Sequence, residues 1–521
     1  MTLPADTRWR DLLLLSLIGL IAFLPGLASL PPIDRDEARY MQATVQMVET
    51  GDLVDIRFQD DARHKKPAGS YWAQVGSLAL TGQLDDVRRG ERSVWAHRLP
   101  SVVGALIAVW ATYLGGLALF GRREARLGAG LLAVSVSLVF EAHIAKTDAM
   151  LAGAAAVVLY GIAARRAWPV WLGLAAGMLL KGPVLLGLAG LALASDAALS
   201  RSTDRVRALL RPLPVLAALL IALPWFVAIG LRTDGAFFAE ALGRDFGGKI
   251  ASAQETHGGP PGYYALTTWV MFWPGALALP VAALFAWRTR TEPSTRLLLA
   301  WIVPMWILLE FVPTKLPHYT LPLYPALALL AAAGWVRLER GKAAWAGLVI
   351  AALIGLVLSV AVSAAASTSP RPGPDIWIAA GLGVLSLLAL DLLWRGRKTA
   401  GPLAAALFIG AGFAALSRSP LLDLSPRLVA AAPEGVRIVS PDYREPSLVF
   451  LAGTDTGLTR TVLAGDLLVI ETGSPPPACA PSSGRIVAGT NYAKGDRIAL
   501  SLWPTDGCSQ DELDRWAMQD D

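Results

Sequence analysis

The chain reads as an all-α polytopic membrane protein that carries a small C-terminal domain, β-rich or α/β. Three observations predict this. Of the 521 residues, 54% are hydrophobic and only 17% are charged, against roughly 25% charged in soluble domains. The apolar residues fall in thirteen runs of helical length, and the loops between them alternate between strongly basic and weakly charged. From about residue 425 the long Leu/Ala runs give way to short β-prone pieces separated by Gly, Pro and Asp turns.

The thirteen expected crossings are 12–29, 98–120, 127–142, 147–164, 168–180, 183–198, 211–231, 266–287, 296–312, 320–338, 343–366, 375–395 and 400–417. One set of loops is basic: Arg8 with Arg10, Arg122 with Arg123 and Arg126, Arg165 with Arg166, then 201–211, 288–296, 337–342 and 395–398. By the positive-inside rule that side is the cytoplasm. The outer side then receives loops 31–97, 143–146, 181–182, 232–265, 313–319 and 367–374, with the tail after 418. This divides the chain into a membrane domain, 1–424, and a soluble outer domain, 425–521.

Two segments admit another reading. Arg8 and Arg10 precede an apolar run ending GLASLPP, which is also the pattern of a signal peptide; cleavage there would leave twelve spans in the same orientation. The run 168–198 could be one kinked helix broken at Lys181-Gly182-Pro183, but the basic groups on both sides of it require two crossings. Each would be roughly 20–24 Å long against a ~30 Å hydrocarbon core. Lys181 then lies below the outer surface and has to face protein, water or a bound anion.

The net charge of +5 is spread in small groups between apolar runs. It orients helices and leaves no nucleic-acid-binding patch. The C-terminal pieces VRIVS, SLVFLAG, LLVIET and RIALSLW have strand character. Cys479 and Cys508, the two cysteines of the chain, both fall in this exported part and suggest a disulfide; two unrelated buried thiols are the plainer alternative.

The chemistry gathers on the outer side. DEARYMQATVQMVETGDLV places Asp36, Glu37 and Arg39 at the start of an amphipathic helix whose Met41, Val45 and Val48 recur at helical spacing. It is expected to lie along the membrane surface. Asp34, Asp36 and Glu37 could cap that helix, yet a cap needs one acid and has no use for Arg39. Lys65 and Lys66 precede Pro67, with Tyr71 and Trp72 as interface aromatics; taken alone this is a snorkelling edge. FEAHIAKTDAML crowds Glu141, His143, Lys146 and Asp148 into a short turn. Thr147 and Asp148 could be a helix cap there, or Asp148 could fix a cation from another loop. PTKLPHYTLPLYP sets Lys315, His318 and Tyr319 at an outer helix mouth, and His318 has no companion at metal-ligand spacing.

A carboxylate pair with lysines, arginines and aromatics suits an anionic, partly apolar substrate such as a lipid-linked phosphate. Lys and Arg hold phosphate and stabilise the charge that grows as it departs. A carboxylate takes the proton of the attacking hydroxyl, and no general acid is needed because phosphate leaves as a stable anion.

The segments RDEARY, KKPAGSYW, RLPSVVGAL, KTDAML, KGPVLLGLAG and KLPHYTLPLYPALALL together resemble the membrane glycosyltransferases related to lipid A aminoarabinose transferase and, more distantly, the protein O-mannosyltransferases. The resemblance runs in order over most of residues 30–335 and rests on the order of motifs and the topology. It implies a GT-C fold, a polyprenyl monophosphate sugar donor such as an undecaprenyl phosphate sugar, inversion at the anomeric carbon, and a multi-pass protein of the bacterial inner membrane with a periplasmic active site. It also implies that Asp36 activates the acceptor or organises the site with Glu37, and that Arg39 and Lys66 hold the donor phosphate. Asp148 would be the counter-ion of Lys66, Arg244 and Tyr319 weaker phosphate contacts, and Lys181, Lys315 and His318 supporting residues. No cofactor is required; a divalent metal is left open and no metal ligand is assigned.

The family's aromatic-rich stretch before the lysine is replaced here by Arg63-His64-Lys65-Lys66-Pro67-Ala68, which puts the sugar contacts of that segment in doubt. A lipid A-like lipid, a glycan or a protein all suit as acceptor. Two rivals stay in play: a lipid or sugar transporter or flippase, which should show midplane charges and internal repeats, and an O-antigen ligase-type transferase with a pyrophosphate donor, which should carry more outer arginines and no early acidic pair.

Overall fold

The structure, a computed structural model, describes residues 5–241, 243, 258–367 and 374–518. All thirteen apolar runs coincide with helix. The first is Ala5–Phe23 and the second Val94–Leu119. The third is a pair, Arg122–Ala133 and Val136–Ala142, bent by 55°. Then come Asp148–Ala163, Ala167–Lys181, Val184–Ser200 and Pro212–Arg232, and the broken run Tyr263–Met271, Gly275–Ala278 and Leu279–Arg288. Pro293–Phe311, Pro317–Arg337, Lys342–Ala366, Ile376–Trp394 and Ala400–Leu416 complete the series.

Length separates these helices. Among the described residues six are long and apolar enough to cross a membrane by themselves, or seven if the bent pair is one span. Thirteen full crossings were expected. The remainder are shorter apolar helices or, like Ala5–Phe23, begin with charged residues. Hydropathy alone does not distinguish a short helix buried inside a bundle from one that reaches both surfaces.

The alternation of loops is realised as two opposite clusters of contacts. At one end Arg122 pairs with Asp11 at 2.7 Å, Arg337 with Glu124 at 2.9 Å and Arg296 with Asp196 at 3.0 Å. Arg126 there donates to Thr399 Oγ1. These loops are the basic set read from the sequence. Loops of the other set meet at the opposite end, where the candidate residues lie. Between the ends, small residues let helices close on one another. A Cβ on Gly153 would meet the Gly104 carbonyl oxygen at 2.6 Å, and one on Gly173 would meet that of Ala154 at 3.0 Å. The helix starting at Asp148 is thereby pressed against Val94–Leu119 on one side and Ala167–Lys181 on the other. The break at Lys181-Gly182-Pro183 is present, with Gly182 at φ +64°, a value glycine adopts at no steric cost.

The first long loop folds into a helix Asp36–Thr50, a hairpin of β1 (Arg57–Phe58) and β2 (Asp61–Ala62), and a helix Gly69–Leu80. Asp36–Thr50 does not lie exposed along a surface. Residues 40–48 are all buried, because its polar side finds partners as well as its apolar side. Thr44 donates to Gln74 Oε1 at 2.9 Å, Gln46 to the Gln59 carbonyl at 2.9 Å and Gln42 to Thr454 Oγ1 at 2.7 Å. Tyr71 is likewise internal, its ring stacked 5.0 Å from Tyr40.

From Leu424 onward the chain builds a second core around a four-stranded sheet, ordered β3 (Ile438–Val439), β4 (Leu467–Glu471), β6 (Asp496–Pro504) and β5 (Arg485–Asn491). β3 and β4 are parallel and the other pairs antiparallel. The sheet is flanked by helices Leu424–Ala431, Pro446–Ala452 and Gln510–Ala517. SLVFLAG, read as a strand, is therefore helical. Pro446 occupies the first helical position, where its missing N–H costs nothing, and Gly453 ends the helix at φ +133°. Cys479 and Cys508 are joined in a disulfide.

Candidate active site

The acidic pair at the start of helix Asp36–Thr50 separates into two roles. Glu37 is buried, and its oxygens are fully engaged. Oε1 accepts from Arg98 Nε and the Ala145 N–H, both at 2.8 Å. Oε2 accepts from Arg98 Nη2 at 2.9 Å and the Ile33 N–H at 2.8 Å. Arg98 spends its remaining donors on the carbonyls of Leu27, Leu30 and Pro31. This bidentate pair ties together the end of the first helix, the start of the second and the turn before Lys146. Glu37 has no free lone pair facing a substrate.

Asp36, one residue earlier, is exposed although protein surrounds it densely enough to desolvate it. A side chain with both properties lies in a concavity. Burial pushes its carboxyl pKa up, but the charges of Lys146, Arg63 and Arg39, with His318, outweigh that and hold it below the ordinary carboxylate value. Asp36 is thus an ionised carboxylate in a basic hollow.

Those cations are themselves held. Arg63 is buried, donates from Nε to Tyr71 OH at 3.2 Å and lies 5.2 Å from the Tyr40 ring centroid. It stands where the family's aromatic residue was missed in the sequence, between two tyrosines that came from elsewhere in the loop. Lys146 pairs with Glu141 at 3.1 Å and with Asp148 at 3.5 Å.

Thr147 sits at the N-cap without a capping hydrogen bond, and Asp148 is the acid of the first turn. Its ion pairs run to Lys181 and Lys146, with His318 Nε2 at 3.7 Å, in the place where Lys66 was expected. The reason is the close packing of Asp148–Ala163 on Ala167–Lys181, which sets the last residue of one antiparallel helix beside the first of the other. Lys181 also lies 5.2 Å from the Tyr319 ring, and His318 Nδ1 lies 3.5 Å from Glu141. Lys315 is buried and donates to the Gly259 carbonyl at 3.1 Å; it fastens a loop. Lys66 is half-buried just after the hairpin, and Arg39 half-buried on the Asp36 helix. Arg244 lies outside the described residues.

The structure therefore unites Asp36, Arg39, Arg63, Lys146, Asp148, Lys181, His318 and Tyr319 at one end of the bundle. Sequence reading assigned no functional role to Arg63 or Arg98, and it placed Glu141 and Lys146 in the cluster with Asp148 without assigning either to the site. Arg98 had a usable signal, an arginine in the first turn of an apolar span, which has to find a carboxylate or carbonyls. Among the described residues no group of three or more His, Cys, Asp or Glu side chains is placed to hold a metal ion.

Known proteins resemble the chain in sequence and in fold. The family model described as dolichyl-phosphate-mannose-protein mannosyltransferase matches residues 65–230. The undecaprenyl phosphate-alpha-4-amino-4-deoxy-L-arabinose arabinosyl transferase of Aeromonas salmonicida is 29% identical over 82% of this chain and 74% of its own length. A second such transferase from Pseudomonas fluorescens is 30% identical over 67% of this chain and 64% of its own. ArnT from Cupriavidus metallidurans, bound to undecaprenyl phosphate, superimposes with a TM-score of 0.73 at 21% identity, over 96% of this chain and 98% of that one.

Proposed function

We propose, for a chain that is a membrane glycosyltransferase of GT-C fold, that it transfers a sugar from an undecaprenyl monophosphate donor to a lipid A-type acceptor, with inversion at the anomeric carbon. The observation that carries this reading is the accessible, ionised Asp36 in a hollow ringed by Lys146, Arg63 and Arg39. The likeness to transferases that use an undecaprenyl phosphate sugar supports the donor class.

In this reading Lys66 and Arg39 hold the donor phosphate, with Arg63, Lys146 and Lys181 adding positive field and Asp148 holding the two lysines in register. Asp36 takes the proton of the acceptor hydroxyl as its oxygen attacks the anomeric carbon. The bond from that carbon to the phosphate oxygen breaks on the opposite face, and the lipid phosphate leaves with one more negative charge, which the cations stabilise. Donor binding also serves the base. Phosphate placed among the cations cancels the field that depresses the Asp36 pKa, so its affinity for a proton rises once the donor is seated. Glu37 and Lys315 act on the scaffold. We take the chain to cross the membrane thirteen times, with the site and the C-terminal unit periplasmic; the thirteen helical runs and the two opposite loop clusters support this.

The test is transfer from radiolabelled undecaprenyl phosphate sugars to lipid A-type acceptors, with wild type compared with Asp36→Asn and Lys66→Ala. Asp36→Asn should lower kcat by about 10²–10⁴-fold, the usual worth of a positioned base. Full transfer by both variants would overturn the site, and a wild type that consumes no such donor would overturn the function.

A further inference from the structure

Helix Asp36–Thr50 is held on its outer side by the C-terminal unit, some four hundred residues away in sequence. Asp34, two residues before Asp36, accepts from the Ser447 N–H at 2.7 Å and from Ser447 Oγ at 2.6 Å. Ser447 Oγ also lies 2.6 Å from Ser425 Oγ, which is 2.9 Å from Tyr443 OH. The contact thus continues as a buried hydrogen-bonded chain into the second core. Further along, Phe450 is fully buried in one apolar cluster with Met41, Val45 and Ala145, and Arg92 clamps its carbonyl at 3.1 Å while pairing with Glu49 at 3.1 Å. Gln42 and Gln59 reach across to Thr454.

Two of these partners adjoin the reacting groups. Asp34 is next but one to Asp36, and Ala145 is the neighbour of Lys146 and bonds Glu37 through its N–H. We infer that Asp34 and Phe450 are positioning residues: through Ser447, and through the apolar cluster that Phe450 shares with Ala145, the C-terminal unit holds the Asp36 carboxylate in register with Lys146. The inference rests on the reading of Asp36 as the group that meets the acceptor.

Full-length protein in detergent tests it by three measurements: turnover, affinity for undecaprenyl phosphate, and hydrogen exchange of the amides of helix Asp36–Thr50. Asp34→Ala should lower kcat by about 10–100-fold, the cost of a misplacement near 1 Å, with donor-phosphate affinity changed less than about twofold. Exchange in that helix should be faster. Asp34→Asn should restore most of the turnover, because its amide oxygen still accepts from the Ser447 N–H and its NH₂ donates to Ser447 Oγ. Phe450→Leu, a milder change, should reproduce the exchange and kcat effects in weaker form if Asp34→Ala does not fold. Unchanged turnover and exchange in both variants would overturn the inference, as would equal losses of affinity and turnover, which mark general collapse. A wild type that uses no polyprenyl phosphate sugar would sink the functional reading alone, since hydrogen exchange still decides the positioning.

Discussion

Replacing Glu37 by Gln should damage stability far more than chemistry, the reverse of Asp36→Asn. Glu37 and Arg98 form a pair whose side chains are both fully buried. The carboxylate accepts four hydrogen bonds, two from the guanidinium and two from the backbone. Glutamine keeps the shape but loses the charge, and its NH₂ is forced against groups that are themselves donors. Removing one partner of a buried ion pair costs about 3–5 kcal/mol, because the other charge is left uncompensated. Domains of 150–250 residues lose roughly 2–4 °C of Tm per kcal/mol, and a larger unit loses less. An apparent Tm lower by about 5–10 °C is therefore expected for Glu37→Gln, read by thermal unfolding in detergent with transfer assayed on the surviving folded fraction. Pairing Glu37→Met with Arg98→Met should recover part of the loss, since an apolar pair leaves no charge stranded. Should Glu37→Gln unfold within about 1 °C of wild type while its folded fraction is inactive, the assignment of Glu37 to the scaffold is wrong.

Lys181→Met removes the strongest partner of Asp148 and a charge facing Tyr319; a lost charge-assisted contact of about 1.5–3 kcal/mol predicts a fall of roughly ten- to hundredfold in kcat/KM for the donor. Asp34 gives a pH signature. Desolvation raises its pKa to about 6, against the hydrogen bonds from Ser447, with Glu445 raising and Arg39 lowering it. A raised folded-state pKa means that its share of stability is complete below the unfolded value near 3.8 and is lost as pH rises through about 6. The Tm of Asp34→Asn minus that of wild type should therefore increase between about pH 4 and 6 and level off above that; a flat difference refutes this. Cys508→Ser opens a loop of 29 residues, for which chain entropy predicts a loss of about 3–4 kcal/mol. Urea unfolding followed at the C-terminal unit should detect it.

The helical runs, the two-sided distribution of charge, the break at Lys181-Gly182-Pro183 and the cluster around Asp36 and Asp148 were legible in the sequence. Each follows from local physics: apolar length, loop charge, a glycine before proline, and the cost of an ionised group beside lipid. The similarity of the adjacent carboxylates hid their difference. Consecutive residues on a helix point about 100° apart, so Asp36 faces the hollow and Glu37 faces Arg98, and only the position of Arg98 tells which is which. The partner of Asp148 was equally hidden, because the choice of Lys181 depends on how closely Gly153 and Gly173 let three helices approach.

The sequence by itself determined that this chain is a bundle of apolar helices with acids and bases gathered on one side, because burial of apolar runs and the cost of charge in lipid are properties of single segments. The tertiary structure decided how long each apolar helix runs and where it breaks, that helix Asp36–Thr50 is enclosed by protein rather than exposed, and that residues beyond 440 bond to the segment that carries Asp36. Those outcomes depend on side chains far apart in the chain meeting at 2.6–2.8 Å, and no local pattern encodes which distant serine, threonine or phenylalanine will be the partner.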